Sequence, residues 1–148
     1  MVVANMVYLL DKKEEVAIQS NIHDNECILT NKQRRQLQHE FKIHLEKYFK
    51  GLLGKGSDYT KVTIRDDMVI IRREGFLTEP EKYITTTQNG DNLVKAARMQ
   101  ITKQYAIDNT SYFETQLGAK CIHQTIEVES KKDFWIHVMV FDKLLIEQ

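Results

Sequence analysis

Residues 59–74 read Tyr-Thr-Lys-Val-Thr-Ile-Arg-Asp-Asp-Met-Val-Ile-Ile-Arg-Arg-Glu, and the alternation in this stretch decides the fold. Val62 and Ile64 point one way while Lys61, Thr63 and Arg65 point the other, the period-two signature of a half-buried strand. Asp66-Asp67 is a two-residue turn, and Met68 to Arg73 returns as a second strand. That turn sets Ile64 opposite Val69 and Val62 opposite Ile71, which keeps the apolar residues on one face.

Upstream, residues 31–53 repeat apolar positions at helical spacing: Leu37, Phe41, His44 or Leu45, Tyr48 and Leu52. Thr30 or Asn31 caps this helix and Gly54 ends it. Downstream, Gly75 breaks the strand. Thr78-Glu79-Pro80-Glu81 then carries a cap, a first-turn proline and a capping-box glutamate. This predicts a short helix ending near Asn89-Gly90. Asp91 opens a long helix to about Leu117, with Val94, Ala97, Ile101, Tyr105 and Tyr112 on one face, and Gly118 ends it. A last hairpin pairs Cys121–Val128 with Phe134–Phe141. With a loop of Ser130-Lys131-Lys132, Ile122, Ile126 and Val128 match Phe134, Ile136, Val138 and Val140 on the covered face.

The two units superimpose at an offset of 64 residues. Leu37 meets Ile101, Phe41 meets Tyr105, Tyr48-Phe49 meets Tyr112-Phe113, and Leu53-Gly54 meets Leu117-Gly118. Val62 and Ile64 meet Ile126 and Val128. One extra turn residue then brings Val69 and Ile71 to Phe134 and Ile136. The expected fold is α+β: two α-β-β units forming a four-stranded antiparallel sheet with both main helices on one face, since each amphipathic element buries one side. Residues 30–148 form a single domain. Residues 1–29 are a separate N-terminal segment, where Val7, Leu10, Glu14 and Ile18 hint at a helix and Asn21–Asn25 at a turn.

Composition bounds the function. The chain has 148 residues, 42% hydrophobic and 28% charged, with 21 basic and 21 acidic side chains. Zero net charge argues against a bulk electrostatic nucleic-acid binder. Cys27 and Cys121 form no Cys-x-x-Cys pair, which fits two free thiols in a reducing compartment. No stretch approaches the roughly 20 apolar residues of a membrane span. The expectation is a cytoplasmic protein that reaches a membrane, if at all, through a partner.

Several chemical signatures fail on spacing. His39-Glu40 and His44 are five apart, so they do not share the helix face that a zinc-protease pair needs. Gly51–Ser57 (GLLGKGS) follows a helix and precedes a strand, the reverse of a phosphate loop. The same loop resembles the Gly-x-x-Gly clamp of KH domains only superficially, because a strand follows it. Glu74, Glu79, Glu81 and Asp91 cluster without a nucleophile or metal histidine, and capping accounts for Glu81 and Asp91. No catalytic residue, cofactor or metal is expected. The last hairpin leaves a second face, with Cys121, His123, Thr125 and Glu127 opposite Phe141, Met139, His137 and Trp135. On this reading His123, Trp135, His137, Met139 and Phe141 form an exposed interface, either for another chain or for the N-terminal segment.

The stretch GKGSDYTKVTIRDDMVIIRREGFLTEPEKYI, with NGDNLVKAAR after it, resembles a small bacterial family once listed as a domain of unknown function. It is named after MpsC, the C component of the Mps membrane-potential-generating system. The resemblance spans residues 33–142 and rests on Gly54-Lys55-Gly56, Asp67-Met68, Gly75, Leu77-Thr78, Glu81, Gly90, Val94 and Arg98. Ser57 and Asp91 depart from it, standing where proline and arginine are usual. The resemblance implies an accessory protein linked to a cation-coupled or bicarbonate-uptake membrane system, with transporter subunits as partners; taken with the spare hairpin face, it leads to the expectation of a non-enzymatic accessory or regulatory subunit that is a homodimer. It supplies no catalytic residue. Gly54, Lys55, Gly56, Gly75, Thr78, Glu81 and Arg98 are the candidate functional-loop residues. Two other functions are open: nucleic-acid binding through Lys32, Arg34, Arg35, Lys42, Lys47, Lys50 and the Gly-Lys-Gly loop, and small-molecule sensing by the two loops.

Overall fold

A computed structural model describes residues 28–147. The helix hinted at around residues 7–18 and the turn at 21–25 lie outside them. The order is α1 (Asn31–Leu53), β1 (Tyr59–Arg65), β2 (Met68–Glu74), α2 (Glu79–Ile84), α3 (Gln88–Leu117), β3 (Cys121–Glu129) and β4 (Phe134–Phe141). The strands form one antiparallel sheet in the order β1-β2-β4-β3. Helix α1 lies over β1 and α3 over β3.

Local signals set the first half. Thr30 caps α1 in a reciprocal capping box with Gln33, and Gly54 ends it in the left-handed conformation at φ 71°. Phe41, Leu45 and Phe49 form its buried stripe, while Leu52 is exposed. The β1–β2 register is the expected one, with Ile64 opposite Val69 and Val62 opposite Ile71.

The second hairpin differs from expectation by one residue, and the consequence is large. Glu129 pairs with Phe134, so the loop is Ser130–Asp133, with Asp133 at φ 54° as its fourth member. Sheet side chains alternate with period two, so one more loop residue turns β4 over. Trp135, His137, Met139 and Phe141 therefore face the helices, each no more than 1% exposed. Phe134, Ile136, Val138 and Val140 lie half-buried on the outer face. The expected aromatic outer face is thus core, and only His123 of that set is exposed. A bulge between Cys121 and His123 also removes Ile122 from the covered face and leaves it 65% exposed.

This register makes the internal repeat more regular. Val62 and Ile64 still match Ile126 and Val128 at an offset of 64, but Val69, Ile71 and Arg73 match Trp135, His137 and Met139 at 66. The central ladder pairs Val69 with Met139, Ile71 with His137 and Arg73 with Trp135. Exchanging the halves returns the same three pairs, so a pseudo-twofold axis passes through Ile71 and His137. The helix ends agree as well: Gly118 closes α3 at φ 60° as Gly54 closes α1.

Helix α3 starts earlier than expected. Thr87 caps it through the Gly90 N–H, so Asn89-Gly90 lies in its first turn, and α2 ends at Ile84. Its buried face includes Asp91, Arg98, Thr102 and Asn109 beside Val94, Tyr105, Ala106, Phe113 and Leu117, whereas Ala97 is exposed. The buried polar groups have partners. Ser130 donates to Asp91 at 2.5 Å, and Asn109 donates to the Tyr105 carbonyl at 2.8 Å. The chain then returns past the β1–β2 turn: Leu145 donates to the Asp66 carbonyl at 2.9 Å, and Ile146 bridges Leu29 in parallel. Leu145 joins the core.

Candidate functional site

The two loops singled out in the sequence meet beyond one end of the first hairpin. Asp58 donates its N–H to the Glu74 carbonyl at 3.0 Å, which sets it against Gly75. Gly75 holds φ 68°, and a Cβ there would lie 2.1 Å from the Asp58 carboxylate. Only glycine meets both conditions without movement. The Gly75 N–H reaches the Asp133 carbonyl at 2.9 Å. Asp133 Oδ1 accepts the next two N–H groups, Phe76 and Leu77, both at 2.9 Å. The turn of the second half thereby holds the connector of the first.

Thr78 caps α2 and forms the expected capping box with Glu81. The Glu81 carboxylate also receives Arg98, through Nε at 2.6 Å and through Nη2. Nη2 donates to the Phe76 carbonyl as well, at 3.3 Å. Lys55 spans the gap from the other loop, donating from Nζ to the Leu77 carbonyl at 2.7 Å. Lys55, Gly75, Thr78, Glu81 and Arg98 therefore belong to one hub. Gly54 ends α1, and Gly56 runs close to Glu46, whose Oε2 would be 3.2 Å from an added Cβ. Burial pushes the Glu81 carboxyl up, but hydrogen bonds from Arg98 and Thr78 outweigh it and hold the group below the usual carboxylate range.

A second cluster adjoins the hub and was not anticipated. Arg73 is 1% exposed. Its Nε donates to Thr60 Oγ1 at 3.2 Å, and its Nη2 lies 3.5 Å from Glu46. Its guanidinium sits 4.3 Å from the Phe49 ring centroid and 5.9 Å from that of Trp135, cation–π contacts that suit a poorly hydrated cation. Thr60 and Ser57 both donate to Glu46, Ser57 at 2.9 Å. Burial raises the Glu46 carboxyl, and these bonds and the Arg73 charge bring it below its ordinary value. A signal for Arg73 did exist: it shares the parity of Val69 and Ile71, so the same alternation that buries them buries it.

Other groups named from sequence have structural duties. His44 stacks on Tyr112 with centroids 3.7 Å apart and hydrogen-bonds Asn109 Oδ1 at 2.7 Å. His137 bonds Tyr105 at 3.1 Å and Gln124 at 2.8 Å, and burial depresses its pKa to about 4. Among the described residues no three His, Cys, Asp or Glu side chains converge as metal ligands, and no helix is long and apolar enough to cross a membrane. Lys32, Arg35, Lys42, Lys47 and Lys50 are exposed along α1.

The chain is similar to an uncharacterized protein, YrhF, of Bacillus subtilis (strain 168). The two are 29% identical over 111 residues, which cover 74% of this chain and 91% of that protein. No solved structure matches the chain. Residues 33–143 match the family described as Na+-translocating membrane potential-generating system (MpsC). The match takes in both helix–hairpin units and every residue of the hub, and the chain belongs to the MpsC family.

Proposed function

We propose that this protein is a non-enzymatic accessory subunit of a cation-coupled or bicarbonate-uptake membrane system. In this reading it acts by protein–protein contact and is a homodimer through the outer face of its sheet. The family match is the observation that carries the reading. The outer face supports the mode of action. Met68, Ile70, Phe134, Ile136, Val138 and Val140 make a half-buried apolar stripe along β2 and β4. Contiguous apolar surface of this kind marks interaction sites.

Charge favours a second copy as the occupant. Exposed Lys61 and Arg65 line the β1 edge of the stripe, while Glu127 and Glu129 line the β3 edge. Lys61, Arg72, Ile136 and Glu127 lie in one cross-strand row. A twofold axis along the strands lays β1 of one copy over β3 of the other and sets Lys61 opposite Glu127. Strand spacings of about 4.8 Å and about 3.3 Å per residue give the face about 440 Å², or about 900 Å² over two copies. That is below the roughly 1,000 Å² a stable specific interface buries, so the dimer is weak and forms only at high concentration.

Light scattering over a concentration series tests the self-contact, and co-purification with the membrane subunits of the system tests the role. The reading expects the mass to rise towards twice 17.4 kDa, loss of that rise in Val138→Asp, and capture of the wild-type chain. A monomer at all concentrations that captures no membrane subunit contradicts it.

A further inference from the structure

Arg73 and Arg98 come from different halves of the molecule, yet both line one small cavity. Lys55, Phe76, Thr102 and Trp135 complete its wall with other side chains. The arginines are 1% and 4% exposed. Each is only partly committed. Arg73 uses Nε and Nη2, and Arg98 uses Nε and Nη2. Neither Nη1 has a hydrogen-bond partner among the described residues. Neither Nη1 is a fully enclosed unpaired atom either. Both side chains line the cavity, and it is the space they share.

The charges around this cavity do not balance. Glu46 and Glu81 are the carboxylates paired with the two arginines. Lys55 bonds a backbone carbonyl and has no ion pair within 4.0 Å among the described residues. Of the other nearby acids, Asp58 lies against Gly75, Asp133 holds the Phe76 and Leu77 amides, and Glu79 pairs with Lys82 at 3.0 Å while its charge also reaches Lys55; none of them lines the cavity. Burying two guanidiniums around one cavity is costly; burial, and to a lesser degree the Arg98 charge, holds the Arg73 pKa below its ordinary value. The cavity holds about 10 Å³, the room of about one water-sized body.

We propose that this cavity binds one small monovalent inorganic anion of halide size, held by the Nη1 groups of Arg73 and Arg98 with Lys55 at the rim. The ligand set is all donor and all cationic. The volume is the room of about one water, so a halide fits with a small outward shift of the walls, while a tetrahedral oxyanion needs a much larger one. The ion sits where the Gly-Lys-Gly loop, the Gly75–Glu81 connector and α3 converge, so its occupancy couples the two halves.

Chloride and bromide are the probes, with gluconate as the bulky control anion at constant ionic strength. The thermal midpoint is expected to rise saturably with chloride and with bromide but not with gluconate, because only an ion bound to the folded state raises it. Bromide is expected to give an anomalous scattering peak in the cavity of the crystallised protein. Arg73 and Arg98 variants risk unfolding, so the decisive variant is Lys55→Met at the half-exposed rim. It is expected to stay folded by circular dichroism and to weaken the halide response at least about tenfold, the size of one charge-assisted contact. Lys55→Arg should retain the response. Equal midpoints in chloride and gluconate, a response unchanged in Lys55→Met, a bromide peak only at surface sites, or a stronger response to phosphate than to chloride would each overturn the proposal.

Discussion

Replacing Asp133 by alanine should unfold the junction between the two halves. The side chain makes two hydrogen bonds at 2.9 Å, to the Phe76 and Leu77 amides. Hydrogen bonds to a charged group contribute about 1.5–3 kcal/mol each. The site is only part-buried, so water compensates part of the loss, and the pair is worth about 2–4 kcal/mol. The backbone adds a smaller penalty, because Asp133 sits at φ 54°, a conformation that aspartate and asparagine adopt more readily than alanine. Asp133→Ala should therefore lower the urea midpoint by a corresponding amount and the thermal midpoint by about 5–15 °C. Asp133→Asn keeps an acceptor and tolerates the backbone, so it should lose less than half as much. The reasoning fails if Asp133→Ala lies within about 0.5 kcal/mol of wild type, the ordinary range for an uninvolved surface change, or if asparagine and alanine are equally damaging.

Other perturbations read the same architecture. Gly75→Ala should cost about 2–4 kcal/mol in urea unfolding, from the left-handed backbone and the Asp58 clash together, and Asp58→Gly in that background should recover the clash part; no recovery would show that Asp58 is not the obstacle. Glu81→Gln should cost about 1–3 kcal/mol by leaving the buried Arg98 without its counter-charge. Because the folded carboxyl lies below its usual value, its contribution is complete above pH 4.5 and lost as pH falls through the folded pKa, so the variant should show a flatter acid limb. His137 is neutral when folded, with a pKa near 4 against 6.5 for the free side chain. Below pH 6.5 the unfolded chain takes up the proton first, so stability should fall by on the order of 3 kcal/mol on the way to pH 4. His137→Gln should remove that slope, and an unchanged slope would place the titration elsewhere.

The parts of the fold that were legible in the sequence share a cause: they are set by local chemistry. Thr30 and Thr78 announce their helices by capping boxes, Gly54 and Gly118 announce the ends, and two aspartates make a turn whose length fixes its register. The second hairpin was harder because both faces of β4 are apolar. Phe134, Ile136, Val138 and Val140 are as hydrophobic as Trp135, Met139 and Phe141, so alternation cannot tell inside from outside. Only the loop length decides, and it turns on the left-handed Asp133. The inner face of α3 was obscured for a different reason. Asp91, Arg98, Thr102 and Asn109 are buried because distant residues satisfy them, and those partners are invisible to helical periodicity. The hub was legible as a set of residues through the family resemblance, and Lys55, Thr78, Glu81 and Arg98 do converge. The neighbouring Arg73–Glu46 cluster was missed because an arginine inside a strand reads as solvent-facing.

The register of β4 decides which surface the protein offers to any partner, and cysteine accessibility reads it directly. Val138→Cys and Met139→Cys are made separately in a chain whose Cys27 and Cys121 are serine, and thiol labelling is timed at low protein concentration. The register predicts fast labelling at 138, on the open face, and strong protection at 139, where methionine is fully buried. Fast labelling at 139 with protection at 138 would turn β4 over, return the aromatic residues to the surface, and contradict the two-half architecture built on the Ile71–His137 axis.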